Sequence, residues 1–510
     1  MKIGKWFARL ATPRAGTEAE RSADLLRRAA ELQQAGDGGG AEECYRQALT
    51  LQPENADTGR RLAHHLALRA GAYQERGEFE AAIESYEESL ALDRERPQVH
   101  NNLGNAYKSL GRLEEAIAAY RLAIATDAGL AEAHLNLGVA LEQAGEAGEA
   151  MAQCRAALAL RPSFAEASLS LGFLLEQEGD AQGALERYRE AIVARPDYAE
   201  AHFNYALQLL LQGDYANGWK EYEWRMRLPG LEGAWPQSWD GSPLGGKVIL
   251  LYAEQGFGDV IQFVRYAPLV AERGGRVIVC CQPKLKALLK TVPGVSAVLG
   301  AGEPLPPFDV RCSLLSLPRI FGTTVDTIPA QLPYVRADSE RSQYWKTMLE
   351  GDAGSMKVGL FWSTESKNRI SPLRSLDLDM LAPLAGIPGV TYYSLQRGEA
   401  AGQATRPPRD MKLVDLTAQL GDFADDAALI SNLDLVISIN TATAHLAGAM
   451  GRQIWTLTQF PPDWRWLLGR DDSPWYPTMR LFRRERQDGW AQVVSRLEQA
   501  LRQLATQRPS

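Results

Sequence analysis

The sequence has 510 residues and a formal net charge of -8. This length exceeds what a single hydrophobic core usually holds and predicts roughly three domains. The acidic balance, without any run of Lys and Arg interleaved with aromatic residues, argues against nucleic-acid binding. The five cysteines form no Cys-x-x-Cys pair or metal-ligand spacing, and no apolar run approaches the ~20 residues of a membrane span. We therefore expect a cytoplasmic protein without a zinc site or a disulfide framework.

We interpret residues 1–20 as a leader that is compatible with a short amphipathic helix. Ile3, Trp6, Phe7 and Leu10 share one helical face, and basic residues flank that face. Such a helix predicts a weak membrane-surface contact through residues 1–10. A frayed leader helix is the favoured alternative, because so short a segment binds poorly alone.

Residues 21–227 repeat with a period of 34, as the spacing from His100 to His134 and from Gly104 to Gly138 shows. This period is typical of tetratricopeptide repeats, in which small and aromatic residues pack two helices together. We predict a superhelix of about six units, with the repeat histidines packed in the core rather than binding metal. Between Pro53 and Ala82 the pattern is seven residues longer than expected, which predicts a longer first helix in that unit.

A polar position recurs within the repeats and predicts a peptide-binding groove. Asn102, Asn136 and Asn204 occupy it in a series with 34-residue spacing, with Ser170 at the same position of the third unit of the series. An amide facing the concave groove can bond the backbone of an extended peptide without reading its sequence. The series resembles the asparagine ladder of the protein O-GlcNAc transferases, which also join tetratricopeptide repeats to a glycosyltransferase. Solvated polar surface explains the same residues equally well.

Residues 228–247 form a linker rich in Pro, Gly and Trp, after which apolar runs alternate with helical patterns. This alternation predicts an α/β pair of doubly wound Rossmann-like domains, residues 248–340 and 355–483, facing each other across a cleft. A C-terminal helix follows at residues 488–507. The predicted strands are residues 248–253, 276–281, 309–312, 357–362, 390–395, 413–416, 435–439 and 454–457, and the predicted helices are residues 259–273, 283–291, 376–385, 422–432 and 441–450.

The first predicted strand leads into the segment Glu254-Gln-Gly-Phe-Gly-Asp259. Gly256 and Gly258 let the backbone approach a ligand closely, and Asp259 stands where the strand's carboxyl end meets the cleft. The segment does not match a dinucleotide fingerprint, because Ile261 occupies the third glycine position. Asp259 is interpreted as a catalytic carboxylate, with a helix N-cap as the alternative.

The strand at residues 435–439 runs directly into the helical segment Asn440-Thr-Ala-Thr-Ala-His445. A helix N-terminus at the end of a strand offers free N–H groups and a positive dipole end, which suits a diphosphate. We predict a diphosphate or sugar-binding site here, with His445 as a catalytic donor. Its other predicted members are Asn440, Thr441 and Thr443 together with Ser363, Thr364, Lys367 and Arg374 from the loop after Trp362, with a solvated loop cation as the alternative for Lys367 and for Arg374.

These two segments carry a family resemblance. Gly256-Phe-Gly-Asp259 with Tyr266-Ala-Pro268, and the segment from Asn440 to Gly448, are similar to motifs of the heptosyltransferase-like family, glycosyltransferase family 9, of the GT-B fold. Pro462-Asp-Trp-Arg-Trp466 with Asp472-Ser-Pro-Trp-Tyr-Pro477 further resembles bacterial proteins that fuse tetratricopeptide repeats to such a domain. We expect the dense tryptophans of residues 464–475 to be buried against the C-terminal helix rather than to flank a nucleotide.

The resemblance implies an inverting, metal-independent glycosyltransferase. Asp259 would be the general base, the first domain would hold the acceptor, and the second would hold a nucleotide-diphosphate sugar, with no other cofactor. The repeats then predict a protein or peptide acceptor. The family usually has an acidic residue where this chain has Asn440, so a scaffold or adaptor with an impaired transferase domain is an alternative. A glycan or lipid-linked saccharide acceptor is a third interpretation.

Overall fold

The structure is a computed structural model that describes residues 17–229, 238–352, 354–364 and 371–507. Most of the predicted leader and the predicted phosphate ligand Lys367 lie outside the described residues. The chain divides into two compact units, residues 1–174 and 175–510. Within the described residues, no helix is long and apolar enough to cross a membrane.

Two helices for every repeat unit confirm the prediction of about six units. Their bounds are α1 Glu18–Gln34, α2 Gly38–Leu51, α3 Ala56–Glu75, α4 Phe79–Leu92, α5 Pro97–Ser109, α6 Leu113–Thr126, α7 Ala131–Gln143, α8 Ala147–Leu160, α9 Ala165–Gln177, α10 Ala181–Ala194, α11 Ala199–Leu211 and α12 Tyr215–Tyr222. The helix α3 has 20 residues where α5 has 13, so the predicted longer first helix is confirmed. The repeat array begins at Glu18, slightly before the predicted residue 21, because Thr17 and Glu20 form a capping box there.

The repeats pack as their small and aromatic residues predict. A Cβ atom at Gly104 would lie 2.5 Å from the Tyr120 ring, so only glycine lets α5 approach α6 this closely. The repeat histidines each place Nε2 on the carbonyl oxygen six residues earlier, at 3.1 Å for His100, 3.3 Å for His134 and 3.0 Å for His202. Core packing is confirmed for His100 and His202, which are buried, whereas His134 is half-buried.

The second unit contains two wholly parallel sheets. The first has the strands β1 Val248–Tyr252, β2 Arg276–Cys281, β3 Val295–Gly300 and β4 Val310–Ser313 in the order β3-β2-β1-β4. The second has β5 Met356–Phe361, β6 Val390–Ser394, β7 Leu413–Asp415, β8 Leu435–Ile439, β9 Ile454–Thr458 and β10 Met479–Arg483 in the order β7-β6-β5-β8-β9-β10. The second order is that of a doubly wound Rossmann sheet. An α/β region with parallel sheets, as predicted, therefore follows the repeats.

Most α-helices of this region have eight residues or fewer, and the last, α21, has 17. They are α13 Phe257–Phe263, α14 Ala267–Glu272, α15 Lys286–Leu289, α16 Leu317–Ile320, α17 Ser339–Met348, α18 Ser371–Arg374, α19 Phe423–Ile430, α20 Ala442–Ala449 and α21 Trp490–Thr506. The single helix predicted for residues 259–273 is wrong, because a 3-10 turn at Val264–Tyr266 divides it before Pro268. The helix predicted for residues 376–385 is a 3-10 helix, Leu378–Leu384, that contains Pro383.

The last repeat helices share one hydrophobic core with the first sheet. Trp219 is buried, donates from Nε1 to the Thr323 carbonyl at 3.0 Å, and meets Trp464 edge-on at a centroid distance of 5.3 Å. Trp475 donates from Nε1 to the Tyr215 hydroxyl at 3.2 Å. The tryptophans of residues 464–475 are thus buried, as predicted, but against α12 and not against α21. The physical reason is that α12 presents Tyr215 and Trp219, and these rings pack against Trp464 and Trp475.

Candidate functional site

A cleft of about 1020 Å³ lies between the two sheets. Its walls come from the carboxyl ends of β1, β5 and β8. Strand order reverses between β1 and β4 and between β5 and β8, and such switch points are where ligands bind in doubly wound sheets. The cleft brings together these predicted residues: Gly256, Gly258, Asp259, Ser363, Thr364, Arg374, Asn440, Thr441, Thr443 and His445.

Two glycines and an aspartate form the wall on the side of the first sheet. Gly256 precedes α13, and Asp259, three residues further on, accepts a hydrogen bond from the Gly256 N–H at 3.1 Å. The N-cap residue of α13 is therefore Gly256 and not Asp259, so the N-cap alternative for Asp259 is wrong. The Asp259 carboxylate still satisfies a free amide at the start of the helix, because it accepts from the Gly256 N–H. A Cβ at Gly258 would lie 2.9 Å from Cδ2 of His445, so glycine is required where the two walls meet.

Asp259 also forms an ion pair that the sequence did not reveal. Arg465 donates from Nη2 to Asp259 and from Nη1 to both carboxylate oxygens of Asp463, at 3.0 and 3.1 Å. Its Nε donates to Gln262 at 2.7 Å. The Arg465 side chain is 10% exposed and that of Asp259 18% exposed. One buried guanidinium therefore joins the loop after β9 to the first turn of α13.

Burial and Arg465 act on the pKa of Asp259 in opposite directions. Burial raises this pKa above its ordinary value, and the Arg465 charge offsets the rise only in part. The pKa of Asp463 is lowered, because Arg465 outweighs the effect of burial there. A carboxylate with a raised pKa is a better proton acceptor near neutrality than an ordinary aspartate.

The opposite wall begins where β8 runs into α20. Thr441 is the N-cap residue of α20, and its hydroxyl lies 3.1 Å from the hydroxyl of Ser438. Asn440 is buried directly before the cap, and its carbonyl accepts a hydrogen bond from Arg374 at 3.3 Å. The first amides of α20 and the Arg374 guanidinium therefore meet at one place, as the diphosphate prediction requires.

Arg374 differs from the other arginines of this cleft in its partners. Arg397 donates to both oxygens of Asp426, at 2.9 and 2.8 Å, and Arg465 is paired with two carboxylates. Among the described residues, Arg374 donates to the Asn440 carbonyl and, at 3.5 Å, to the Thr364 hydroxyl, and its Nε atom has no partner. Burial lowers its pKa from the ordinary arginine value. A partly buried cation with neutral partners is well placed to receive an anion.

The loop after β5 is held by side chains of its own sheet. The Ser363 N–H donates to Gln396 Oε1 at 2.9 Å, and the Thr364 N–H donates to the Ser375 hydroxyl at 3.2 Å. Both amides are therefore hydrogen-bonded within the protein. The side chains of this loop, rather than these amides, would have to make the predicted contacts to an anion.

His445 is buried and electrically neutral. Its Nδ1 lies 2.8 Å from the Tyr476 hydroxyl, and its ring stacks on Trp466 at a centroid distance of 5.6 Å. Burial, helped by the charge of Arg465, lowers the pKa of His445 to about 3. The imidazole therefore carries a single ring proton at physiological pH, on one nitrogen only.

The predicted groove residues lie on first helices of successive repeats. Asn102, Asn136 and Ser170 are half-buried on α5, α7 and α9, and Asn204 is half-buried on α11 in the second unit. The Asn136 amide donates to the side chain of Asn101 at 2.9 Å. Part of this polar series is thus hydrogen-bonded within the repeats, while its half-exposed surface remains compatible with the predicted peptide contacts.

Comparison with known proteins identifies the first half of the chain. Models of the tetratricopeptide repeat match residues 71–111, 104–145, 131–164 and 169–222. Tetratricopeptide repeats are therefore present, and such repeats present extended concave surfaces that bind protein partners. The chain is also similar to Protein FlbA of Caulobacter vibrioides, with 28% identity over 325 residues that cover 57% of this chain and 53% of FlbA. It thus spans about half the length of that curated relative.

The chain is also similar to solved structures. The crystal structure of MamA is 26% identical and covers 34% of this chain and 96% of its own, with a TM-score of 0.28. The first tetratricopeptide repeat domain of Spaghetti (RPAP3), bound to the HSP90 peptide SRMEEVD, is 23% identical and covers 24% of this chain and 95% of its own, with a TM-score of 0.23.

Sequence reasoning missed Arg465, Asp463 and Tyr476 as members of the site. Asp463 and Arg465 belong to the segment Pro462–Trp466 and Tyr476 to the segment Asp472–Pro477, and these two segments carried only a family resemblance. Two opposite charges among tryptophans were the available signal, since buried charges in an aromatic segment need partners. Nothing in the sequence places Tyr476 beside His445, because 31 residues and a strand separate them.

Proposed function

We propose that the α/β region is a metal-independent glycosyltransferase that takes its sugar from a nucleotide diphosphate and passes it to a hydroxyl group. The observation that carries this proposal is Arg374 beside the N-terminus of α20. The guanidinium has neutral hydrogen-bond partners and an unpartnered Nε atom among the described residues. A diphosphate bound there would meet a cation, helix-start amides and the imidazole of His445.

The cleft suits a ligand of that size and its reaction. Its volume, about 1020 Å³, is at the upper end of small-molecule sites. In the proposed transfer the acceptor oxygen bonds to the anomeric carbon as the bond from that carbon to the diphosphate breaks. Asp259 accepts the hydroxyl proton, and the negative charge that develops on the leaving diphosphate is stabilised by Arg374. The raised pKa of Asp259 supports its role as the base.

The acceptor is proposed to be a protein or peptide. Tetratricopeptide repeats supply a concave surface for a partner, and three of the predicted groove side chains lie half-exposed on consecutive first helices. The GT-B assignment of the two facing sheets and the likeness to protein O-GlcNAc transferases belong to the same proposal. A glycan or lipid-linked saccharide is the alternative acceptor.

A scaffold with an impaired transferase domain is a second candidate function, and a specific observation favours it. The predicted base is engaged by Arg465 and by the Gly256 amide, so its charge is already compensated. Asn440 is also uncharged where the family has an acid. In that case the repeats would bind a partner while the cleft would turn over no sugar.

Purified protein incubated with UDP-, GDP-, ADP-, CDP- and dTDP-sugars distinguishes the two candidates. The transferase proposal expects nucleotide release with one donor, stimulated by its acceptor and abolished by Asp259→Ala and His445→Ala. Asp326→Ala, at an exposed position away from the cleft, should leave release unchanged. Release that persists in both cleft variants would overturn the assignment of these residues, and peptide binding without any release would support the scaffold.

A further inference from the structure

Tyr476 lies behind His445 and packs against α20. Its ring lies flat against α20, where a Cβ at Gly448 would come within 2.6 Å of the tyrosine ring carbons. Gly448 is one turn after His445 on the same helix. The glycine thus opens the space that brings the tyrosine hydroxyl to 2.8 Å from Nδ1 of the histidine.

The surroundings of Tyr476 decide which way its hydroxyl proton points. Arg265 is fully enclosed and lies with Cζ 4.7 Å from the centre of the Tyr476 ring. Its Nη2 donates to the hydroxyl of Tyr334 at 2.9 Å, and Tyr334 donates its own proton to the Ile261 carbonyl at 3.0 Å. A cation at this position favours a hydroxyl whose oxygen faces the cation and whose proton points away. The Tyr476 hydroxyl also interacts with Arg265 and with the Tyr334 hydroxyl. Since the Tyr334 oxygen already accepts from Arg265, and an imidazole nitrogen is a stronger acceptor than a phenol oxygen, the Tyr476 proton points to Nδ1 of His445 at 2.8 Å.

A ring nitrogen that accepts a hydrogen bond has no proton of its own, so the single proton of neutral His445 must be on Nε2. This nitrogen is at the ring edge that faces Gly258, since a Cβ there would lie 2.9 Å from Cδ2 and 3.5 Å from Nε2. The same edge meets the cleft. Stacking on Trp466 holds the ring in this orientation.

We propose that Tyr476 is a positioning residue that fixes His445 in the Nε2–H tautomer, so that its ring donates a hydrogen bond into the cleft. This inference rests on the proposed function for the identity of the acceptor, a diphosphate oxygen. The tautomer of His445 does not depend on any ligand, so it can be measured in the free protein. The two claims therefore fail separately.

The direct test is the ¹⁵N solid-state NMR spectrum of the full chain labelled at histidine, with His445 assigned from its loss in His445→Gln. Ring nitrogens with and without a proton resonate at well-separated shifts, and the method has no size limit. In the wild-type protein we expect a protonated Nε2 and an unprotonated Nδ1. In Tyr476→Phe, which removes only the hydroxyl, we expect a second population with the proton on Nδ1.

Tyr215→Phe is the matched control. Tyr215 is an equally buried tyrosine of the same unit, and its hydroxyl accepts from Trp475 rather than from a histidine. This variant should keep the wild-type His445 spectrum. A proton on Nδ1 in the wild-type protein, or a Tyr476→Phe spectrum identical to that of the wild type, would overturn the inference.

Inorganic pyrophosphate serves as the ligand probe. Its addition should shift the His445 Nε2 resonance in the wild-type protein, and Tyr476→Phe should weaken its binding roughly 2- to 10-fold, the worth of one hydrogen bond. If the tautomer is as described but pyrophosphate leaves the resonance unmoved, the positioning role of Tyr476 stands and the proposed diphosphate contact is wrong.

Discussion

Three side chains of the cleft illustrate how burial sets chemical character residue by residue. Arg374 stays cationic with neutral partners, Asp259 shares its charge with Arg465, and His445 is neutral. All three side chains line the same cleft between the two sheets. The cleft therefore offers a cation, a carboxylate and a neutral donor to one ligand.

The low pKa of His445 predicts how acid affects stability. In the unfolded chain a histidine titrates near ~6.5, whereas in the folded protein this pKa is about 3. Between these values the unfolded state binds a proton that the folded state does not, so stability falls as the pH falls, by up to about 1.4 kcal/mol per pH unit. Urea unfolding followed by tryptophan fluorescence at several pH values should therefore show a weaker acid sensitivity in His445→Gln than in the wild type.

Asp426 titrates in part of the same range with the opposite sign. Burial raises its pKa to about 6 despite Arg397, so the folded state holds a proton that the unfolded state has lost. The comparison of variant with wild type cancels this contribution. An unchanged pH dependence in His445→Gln would show that His445 is not held neutral by its burial.

At the scale of elements, Arg465 links the loop after β9 to α13 across the cleft. Arg465→Met would leave Asp259 and Asp463 without their shared cation, and breaking a buried pair in this way costs about 3–5 kcal/mol. Asp259→Asn should cost less, because Arg465 keeps its two contacts to Asp463. The measurement is the free energy of unfolding of the α/β transition, followed by tryptophan fluorescence.

Arg502→Met provides the control for that comparison. Arg502 forms a surface ion pair with Glu498 on α21, with 47% of its side chain exposed. Such pairs contribute about 0–1 kcal/mol, so the variant should unfold almost as the wild type does. Equal losses for Arg465→Met and Arg502→Met would mean that the cleft pair does not support the fold.

Most elements could be predicted because their periodicity is local. The 34-residue repeat predicts helix pairs and even the extension of α3, and continuous apolar runs predict the central strands β1, β2, β5 and β8. The strands β3 and β10 were missed. Each lies at the edge of its sheet, where one side is exposed and the apolar run is interrupted, as in the Met-Arg-Leu-Phe-Arg sequence of β10.

The residues of the site were predictable, but their partners were not. Glycines, a strand end and a helix start are local signals, and the described residues that were predicted for catalysis and diphosphate binding meet in one cleft. The pairing of Asp259 with Arg465 and of His445 with Tyr476 depends on how distant segments pack, which no local pattern encodes.

At the level of the whole molecule, the boundary between the two compact units does not coincide with the end of the repeats. The second compact unit begins at residue 175, within the repeats, and includes α10, α11 and α12. Tyr215, Trp219 and Tyr222 are buried in its core, and Arg225 is fully buried with Glu254 and Ser316 as partners. The last repeats are therefore part of the folding unit that holds the cleft.

This division predicts the outcome of truncation. A chain of residues 175–510 should fold and keep the nucleotide affinity of the intact protein, whereas a chain of residues 228–510 should aggregate or melt at lower temperature, because it lacks the aromatic core and Arg225. Circular dichroism melting and calorimetric nucleotide binding check both. Equal stability of the two chains would contradict the description of α11 and α12 as part of this unit.

The diphosphate contact proposed for Arg374 is tested by calorimetric titration of the intact protein with UDP, GDP, ADP, CDP and dTDP, repeated with Arg374→Ala and Arg502→Ala. We expect saturable binding of one nucleoside diphosphate, weakened roughly 10- to 150-fold in Arg374→Ala by loss of a charge-assisted contact, and unchanged in Arg502→Ala. Binding that Arg374→Ala leaves intact, or no binding of any nucleoside diphosphate, would contradict it.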